Sequence, residues 1–157
     1  MNGEKWDGNR YNINGNIEFI IKDGKGNIKE YNYDGNLHFE GEYLNGERNG
    51  KGKEYYYNGK LIFEGEYLNG KKWNGKGFNN EGIFEFELKN GNGKVKEYYE
   101  NGKLKFEGEY LNGKKNGKGK EYDYFNGTLI FEGEYLNGKR NGEGKEYDDY
   151  HRLIYKG

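Results

Sequence analysis

Apolar and polar residues alternate along most of this chain with a period of two. In KEYYYNGKLIFEGEY, from Lys53 to Tyr67, residues Leu61, Phe63, Gly65 and Tyr67 fall on one side of an extended segment and Ile62, Glu64 and Glu66 on the other. That is the alternation of a strand whose successive side chains point to opposite faces. Asn58-Gly59 separates two such runs, and Asn-Gly in this setting predicts a type I′ hairpin turn with positive φ at both residues. The turn pairs Tyr56 with Leu61, Tyr55 with Ile62, Glu54 with Phe63, Lys53 with Glu64, Gly52 with Gly65 and Lys51 with Glu66. One face then carries Leu61, Phe63, Gly65, Tyr67, Gly52 and Tyr56; the other carries the Lys–Glu pairs with Tyr55 and Ile62. Related turns are expected at Asp34-Gly35, Asn101-Gly102 and Asn126-Gly127, with a longer loop on the opposite edge in NGERNG from Asn45, NGKKNG from Asn112 and NGKRNG from Asn137. No segment has helical spacing.

The pattern repeats. FEGEYLNG begins at Phe39, Phe63, Phe106 and Phe131; FEFELKNG from Phe84 and IEFIIKDG from Ile17 are degenerate copies, and a seventh starts at Tyr155 and breaks off. Starts near 17, 39, 63, 84, 106, 131 and 155 give six to seven hairpins over residues 1–157, read as one repeat domain. Trp6 and Trp73, Ile17 and Phe84, and Phe39 and Phe106 are each 67 residues apart, so three short repeats form a longer unit. One hairpin cannot bury its own apolar face, and stability must come from the neighbouring unit. The expected fold is all-β: an elongated, single-layer ribbon of antiparallel hairpins.

Composition explains how such a ribbon packs. Only 31% of residues are apolar while 18% are aromatic, and there are 29 glycines. The two degenerate copies place Phe19 and Phe86 where the others have glycine, so they are expected to pack differently. Elsewhere an aromatic ring can lie flat over Gly52 or Gly65. The chain has no Cys, Ser or Ala, which removes disulfides, thiolate metal sites and Ser or Cys nucleophiles. Charges balance, 26 basic against 27 acidic for a net −1, so no global field draws nucleic acid. Nothing resembles a membrane span or a signal peptide, and a cytoplasmic location, membrane-peripheral at most, is the expectation.

The candidate chemistry is sparse. His38 and His151 occupy equivalent variable positions, and neither a metal nor a cofactor is expected. Glu64 and Glu66 recur in the intact repeats opposite lysines, which reads as a paired, solvated face and not as a catalytic carboxylate pair. The glycine-rich loops lack the strand–loop–helix setting of a phosphate cradle, and Asn126-Gly127-Thr128 is a chance sequon on a tight turn. Two surfaces stand out. Phe39, Tyr43, Phe63, Tyr67, Phe106, Tyr110, Phe131 and Tyr135 form an aromatic face that either packs internally or receives a partner segment. Arg48, Lys71, Lys72, Lys114, Lys115, Lys139 and Arg140 share one loop position and form a basic rim, either a solubilising edge that blunts strand pairing or a surface for anions such as acidic lipid.

In Phe131 to Tyr147 the residues Phe131, Gly133, Tyr135, Asn137, Gly138, Lys139, Arg140, Gly142 and Gly144 fill the pattern of an aromatic, a glycine, an aromatic, Asn-Gly, two basic residues and Gly-x-Gly. This pattern resembles the MORN repeat, and Lys96 to Tyr110 resembles its variant form. The resemblance implies a single-layer hairpin ribbon, a MORN-type solenoid, with a non-enzymatic role as a scaffold for protein partners, sometimes at membranes. Two alternatives accompany that reading. One is a structural protein that assembles end to end through its terminal strands, around Ile17 to Ile21 and Leu153 to Tyr155; the other is glycan binding by stacked tyrosines.

Overall fold

The computed structural model describes residues 8–11 and 17–157, with side chains from residue 22 onward. Trp6 therefore lies outside the described residues, as do the side chains of Phe19 and Ile21. The described chain is a meander of strands: β1 (Gly8–Tyr11), β2 (Ile17–Lys22), β3 (Lys25–Tyr31), β4 (Leu37–Leu44), β5 (Glu47–Tyr55), β6 (Leu61–Leu68), β7 (Lys71–Phe78), β8 (Phe84–Leu88), β9 (Gly93–Tyr98), β10 (Leu104–Leu111), β11 (Lys114–Tyr122), β12 (Leu129–Leu136), β13 (Lys139–Tyr147) and β14 (Leu153–Lys156). Within each of two open sheets, β1 to β8 and β9 to β14, every strand pairs antiparallel with its sequence neighbours. Between β8 and β9 the ladder shrinks to the single bridge Lys89–Asn92. The surface of 10355 Å² exceeds the ~8,200 Å² of a compact protein of this mass, as a one-layer ribbon must.

Register follows the charge pattern: Lys51 faces Glu66, Gly52 faces Gly65, Lys53 faces Glu64 and Glu54 faces Phe63. Nearer the turn the register differs from the sequence-based expectation. Tyr55 faces Leu61 across a bulge, because the Asn58-Gly59 turn has three residues and not two. Gly59 has φ +76° while Asn58 keeps negative φ. The Tyr56 N–H donates to the Lys60 carbonyl at 2.8 Å, and Asn58 Oδ1 accepts the Lys60 N–H at 2.9 Å.

The tight turns lie on the other edge. At Asn45-Gly46, Asn69-Gly70, Asn90-Gly91, Asn112-Gly113 and Asn137-Gly138 both residues have positive φ, and bonded strand positions such as Leu44 and Glu47 flank them directly. The long loop expected there is instead a two-residue type I′ turn that runs straight into a strand.

The core is built of rings over glycines. Phe39, Phe63 and Phe106 are fully buried, and Tyr67, Phe131 and Tyr135 nearly so. A Cβ on Gly52 would lie 2.7 Å from Cζ of Phe39, and one on Gly144 would lie 2.7 Å from Cε2 of Phe131. Each ring thus occupies space that only glycine leaves open. Tyr67 meets Phe39 edge-on with centroids 5.3 Å apart, and Tyr135 meets Phe106 likewise at 5.4 Å, a favoured geometry worth ~0.5–1.5 kcal/mol per pair. In the degenerate repeat the ring moves by two residues: Phe86 covers Gly77, Leu88 takes the tyrosine's place, and Phe84 is left 55% exposed.

Candidate interaction surfaces

The aromatic face closes on itself. A single sheet offers no second layer to cover its rings, and here the cover is made of cations. The guanidinium of Arg48 sits 3.9 Å from the ring centroid of Phe39, Lys72 Nζ 5.2 Å from that of Phe63, Lys115 Nζ 4.0 Å from that of Phe106, and the Arg140 guanidinium 4.1 Å from that of Phe131. Such placements over a ring face are attractive. Carboxylates join the cations across the strands. Arg48 bonds Glu30 at 2.8 Å and Glu54 at 3.2 Å, and Lys72 meets Glu54 at 2.7 Å. In the second sheet Lys115 meets Glu121 at 3.0 Å, and Arg140 bonds both Glu121 and Glu146.

This ladder sets the protonation of its acids. Burial pushes the Glu54 carboxyl up, but Lys72 and Arg48 outweigh it and hold Glu54 at about 2. Burial also raises Glu121, and the opposing bonds from Arg140 and Lys115 leave it below the ordinary carboxylate value.

The seven cations expected along a loop rim are therefore on strands, and they divide. Arg48, Lys72, Lys115 and Arg140 turn onto the aromatic face and are spent in ion pairs. Lys71, Lys114 and Lys139 point the other way beside the I′ turns, and none forms an ion pair among the described residues. The eight aromatic positions are brought together: six are buried, while Tyr43 and Tyr110 are partly buried against them and donate their hydroxyls to Glu30 and Glu97. His38 approaches Glu54 at 3.8 Å, and His151 stacks on Tyr147 with centroids 4.9 Å apart. The acids Glu30, Glu54, Glu121 and Glu146 were missed in the sequence. The signal was parity: Arg48 and Glu54 are both an even number of residues from Gly52, so they share its face.

The opposite face is concave. Gly108, Gly119, Gly133 and Gly144 floor a groove of about 920 Å³ across the second sheet, and a smaller one of about 560 Å³ crosses the first over Gly41, Gly52 and Gly65. Charged side chains rise on both sides of the larger groove. One wall is internally paired: Lys96–Glu85 at 3.0 Å, Lys120–Glu107 at 3.9 Å and Lys145–Glu132 at 2.8 Å, with the Tyr122 and Tyr147 hydroxyls donating to Glu107 and Glu132. The side chains of the other wall, Lys94, Glu109, Lys118, Glu134 and Glu143, form no hydrogen bond or ion pair among the described residues.

No described helix is long and apolar enough to cross a membrane. The MORN repeat family model matches residues 39–60, 106–128 and 131–152, each span opening on one of the buried phenylalanines, and the MORN repeat variant model matches residues 91–112. Together they cover just over half of the chain. None of the curated proteins matches it.

Proposed function

Because the chain belongs to the MORN repeat family, whose repeats generally serve as non-catalytic scaffolds for protein and membrane interaction, we propose that it holds an extended segment of a partner protein in the groove of the β9–β14 sheet. The observation that carries this is the unpaired wall. Lys94, Glu109, Lys118 and Glu134 alternate in sign across neighbouring strands, about 4.8 Å apart, and none of their side chains is committed to another of the described residues. A segment bearing both basic and acidic residues matches that alternation, and charge complementarity of this kind fixes register and excludes wrong partners. The aromatic face is the poorer candidate because its rings are already covered by Arg48, Lys72, Lys115 and Arg140.

The test is selection of peptides from a random display library on the folded chain. Binding of the selected peptides should be lost in the doubly reversed Lys118→Glu/Glu134→Lys variant and kept in Lys114→Gln. Peptides that survive the reversal, or a library that yields none, would overturn the groove reading. A second reading, attachment to acidic lipid, rests on Lys71, Lys114 and Lys139, whose ammonium groups have no ion-pair partner among the described residues along the I′ edge.

A further inference from the structure

Among the described residues Asn-Gly occupies five type I′ turns, at Asn45, Asn69, Asn90, Asn112 and Asn137. This dipeptide is also chemically labile, because glycine leaves its own amide nitrogen unhindered. In the reaction the glycine nitrogen attacks the asparagine Cγ, forming an N–Cγ bond. The Cγ–Nδ2 bond breaks, the glycine amide proton is passed on, and ammonia leaves. Water then opens the resulting five-membered imide at either carbonyl to give aspartate or isoaspartate, with no oxidant or reductant involved. The ψ of about +30° that a type I′ turn imposes on its first central residue turns the glycine nitrogen away from the side the asparagine Cγ must approach, so the turn must open first.

What resists opening differs among the five turns. In four of them the attacking nitrogen is engaged: the Gly70, Gly91, Gly113 and Gly138 N–H groups donate to the carbonyls of Arg48, Trp73, Gly91 and Lys115 at 2.9, 2.7, 2.8 and 2.8 Å. A second bond braces each of these turns through a nearby asparagine. Asn49 Nδ2 donates to Asn69 Oδ1, and the N–H groups of Asn90, Asn112 and Asn137 donate to Oδ1 of Asn74, Asn92 and Asn116. The Asn45 turn has neither feature. Its one bond to a neighbouring turn is the Asn45 N–H to the Gly24 carbonyl at 2.8 Å, which leaves the Gly46 nitrogen and the Asn45 side-chain amide without a partner among the described residues.

We propose that Asn45 is a site of spontaneous deamidation, converting to aspartate and isoaspartate ahead of the asparagines in the other four I′ turns. Aspartate suits the position, since Asp23-Gly24 holds the same conformation with φ +52° and +72°. Isoaspartate does not. It adds a carbon to the backbone between Leu44 and Glu47, which face each other across the turn, and so loosens the hairpin that carries Arg48 onto Phe39.

The folded full-length chain would be incubated at mildly alkaline pH and physiological temperature, then digested and mapped by mass spectrometry, with enzymatic methylation to count isoaspartate. Asn45 should convert roughly tenfold faster than Asn69 or Asn112, the factor that one additional hydrogen bond represents. In denaturant all five should converge on one rate, and Asn49→Ala, which removes the brace on Asn69, should speed Asn69 alone. Equal rates in the folded chain, or Asn69 and Asn112 ahead of Asn45, would overturn the assignment. So would a denatured chain in which Asn45 remains the fastest by the same margin, because the preference would then belong to the local sequence.

Discussion

Gly119→Ala adds one methyl group where the Phe106 ring leaves no room. The new Cβ would lie 2.6 Å from Cε2 and 2.8 Å from Cζ of Phe106, and 3.1 Å from Cε2 of Tyr135, whereas carbons in contact sit about 3.5–4.0 Å apart. The Phe106 ring has nowhere to retreat. It is fully buried, it lies equally close over Gly108, and Lys115 covers it from outside at 4.0 Å. Overpacking of this kind costs about 1–3 kcal/mol, and tilting the ring weakens its edge-on contact with Tyr135, worth ~0.5–1.5 kcal/mol. Alanine offsets part of this by restricting the unfolded chain, by about 0.4–1 kcal/mol. The expected net loss is therefore about 1–3 kcal/mol, while Glu107→Gln, which weakens a long surface pair with Lys120 and keeps an acceptor for the Tyr122 hydroxyl, should cost less than about 1 kcal/mol. Urea midpoints of wild type, Gly119→Ala, Phe106→Leu and the double variant would measure this as a cycle. The smaller leucine makes room for the methyl, so the double variant should be more stable than the sum of the single losses predicts. A Gly119→Ala protein as stable as wild type, or strict additivity, would refute the packing of rings over glycines.

Three further outcomes follow from the cation ladder and the turn edge. Glu54 is held at about 2 in the folded chain against an ordinary 4.5, so its contribution to stability is complete above that ordinary value and lost as pH falls toward 2; acid titration followed by circular dichroism should show this, with a shallower fall in Glu54→Gln. Arg48→Met keeps the bulk over Phe39 but takes one of two cations from the largely buried Glu54, which retains Lys72 at 2.7 Å, and should lower the thermal midpoint by less than the about 3–5 kcal/mol of a wholly broken buried pair implies. If the I′ edge attaches to acidic lipid, replacing Lys71, Lys114 and Lys139 with Gln should abolish sedimentation with phosphatidylserine vesicles at low salt, while the same change at Lys51, Lys53 and Lys76 should not; no binding by the wild type would dismiss that reading.

Much of this architecture is legible in the sequence because the repeat supplies its own alignment. The octapeptide phase places the hairpins, and the Lys–Glu alternation fixes the register from Lys51 to Glu54 against Phe63 to Glu66. Turn type is not legible from the dipeptide, since Asn-Gly stands at both edges: Asn45 takes positive φ, whereas Asn58 keeps negative φ and bonds Lys60 through its side chain. Reading the Asn45 edge as a loop then hid the strand parity that aims Arg48 and Arg140 at the rings, and a solvated rim was expected where half of the second layer lies. The exchange of Phe84 for Phe86 in the degenerate repeat was visible as a departure, but which ring goes inward depends on Gly77 in the neighbouring strand. The groove appears only with the three-dimensional curvature of the sheet, which raises the charged side chains of neighbouring strands into walls on either side of the aligned glycines.

The groove reading is tested most directly by backbone amide NMR of the chain with a selected peptide bound. Binding in the groove predicts shifts at the floor glycines Gly108, Gly119, Gly133 and Gly144 and at Lys118 and Glu134, with the I′ turns at Asn69 and Asn112 unchanged. Shifts confined to the exposed aromatic tips at Tyr57, Phe125 and Tyr150, with the glycine floor unmoved, would contradict it.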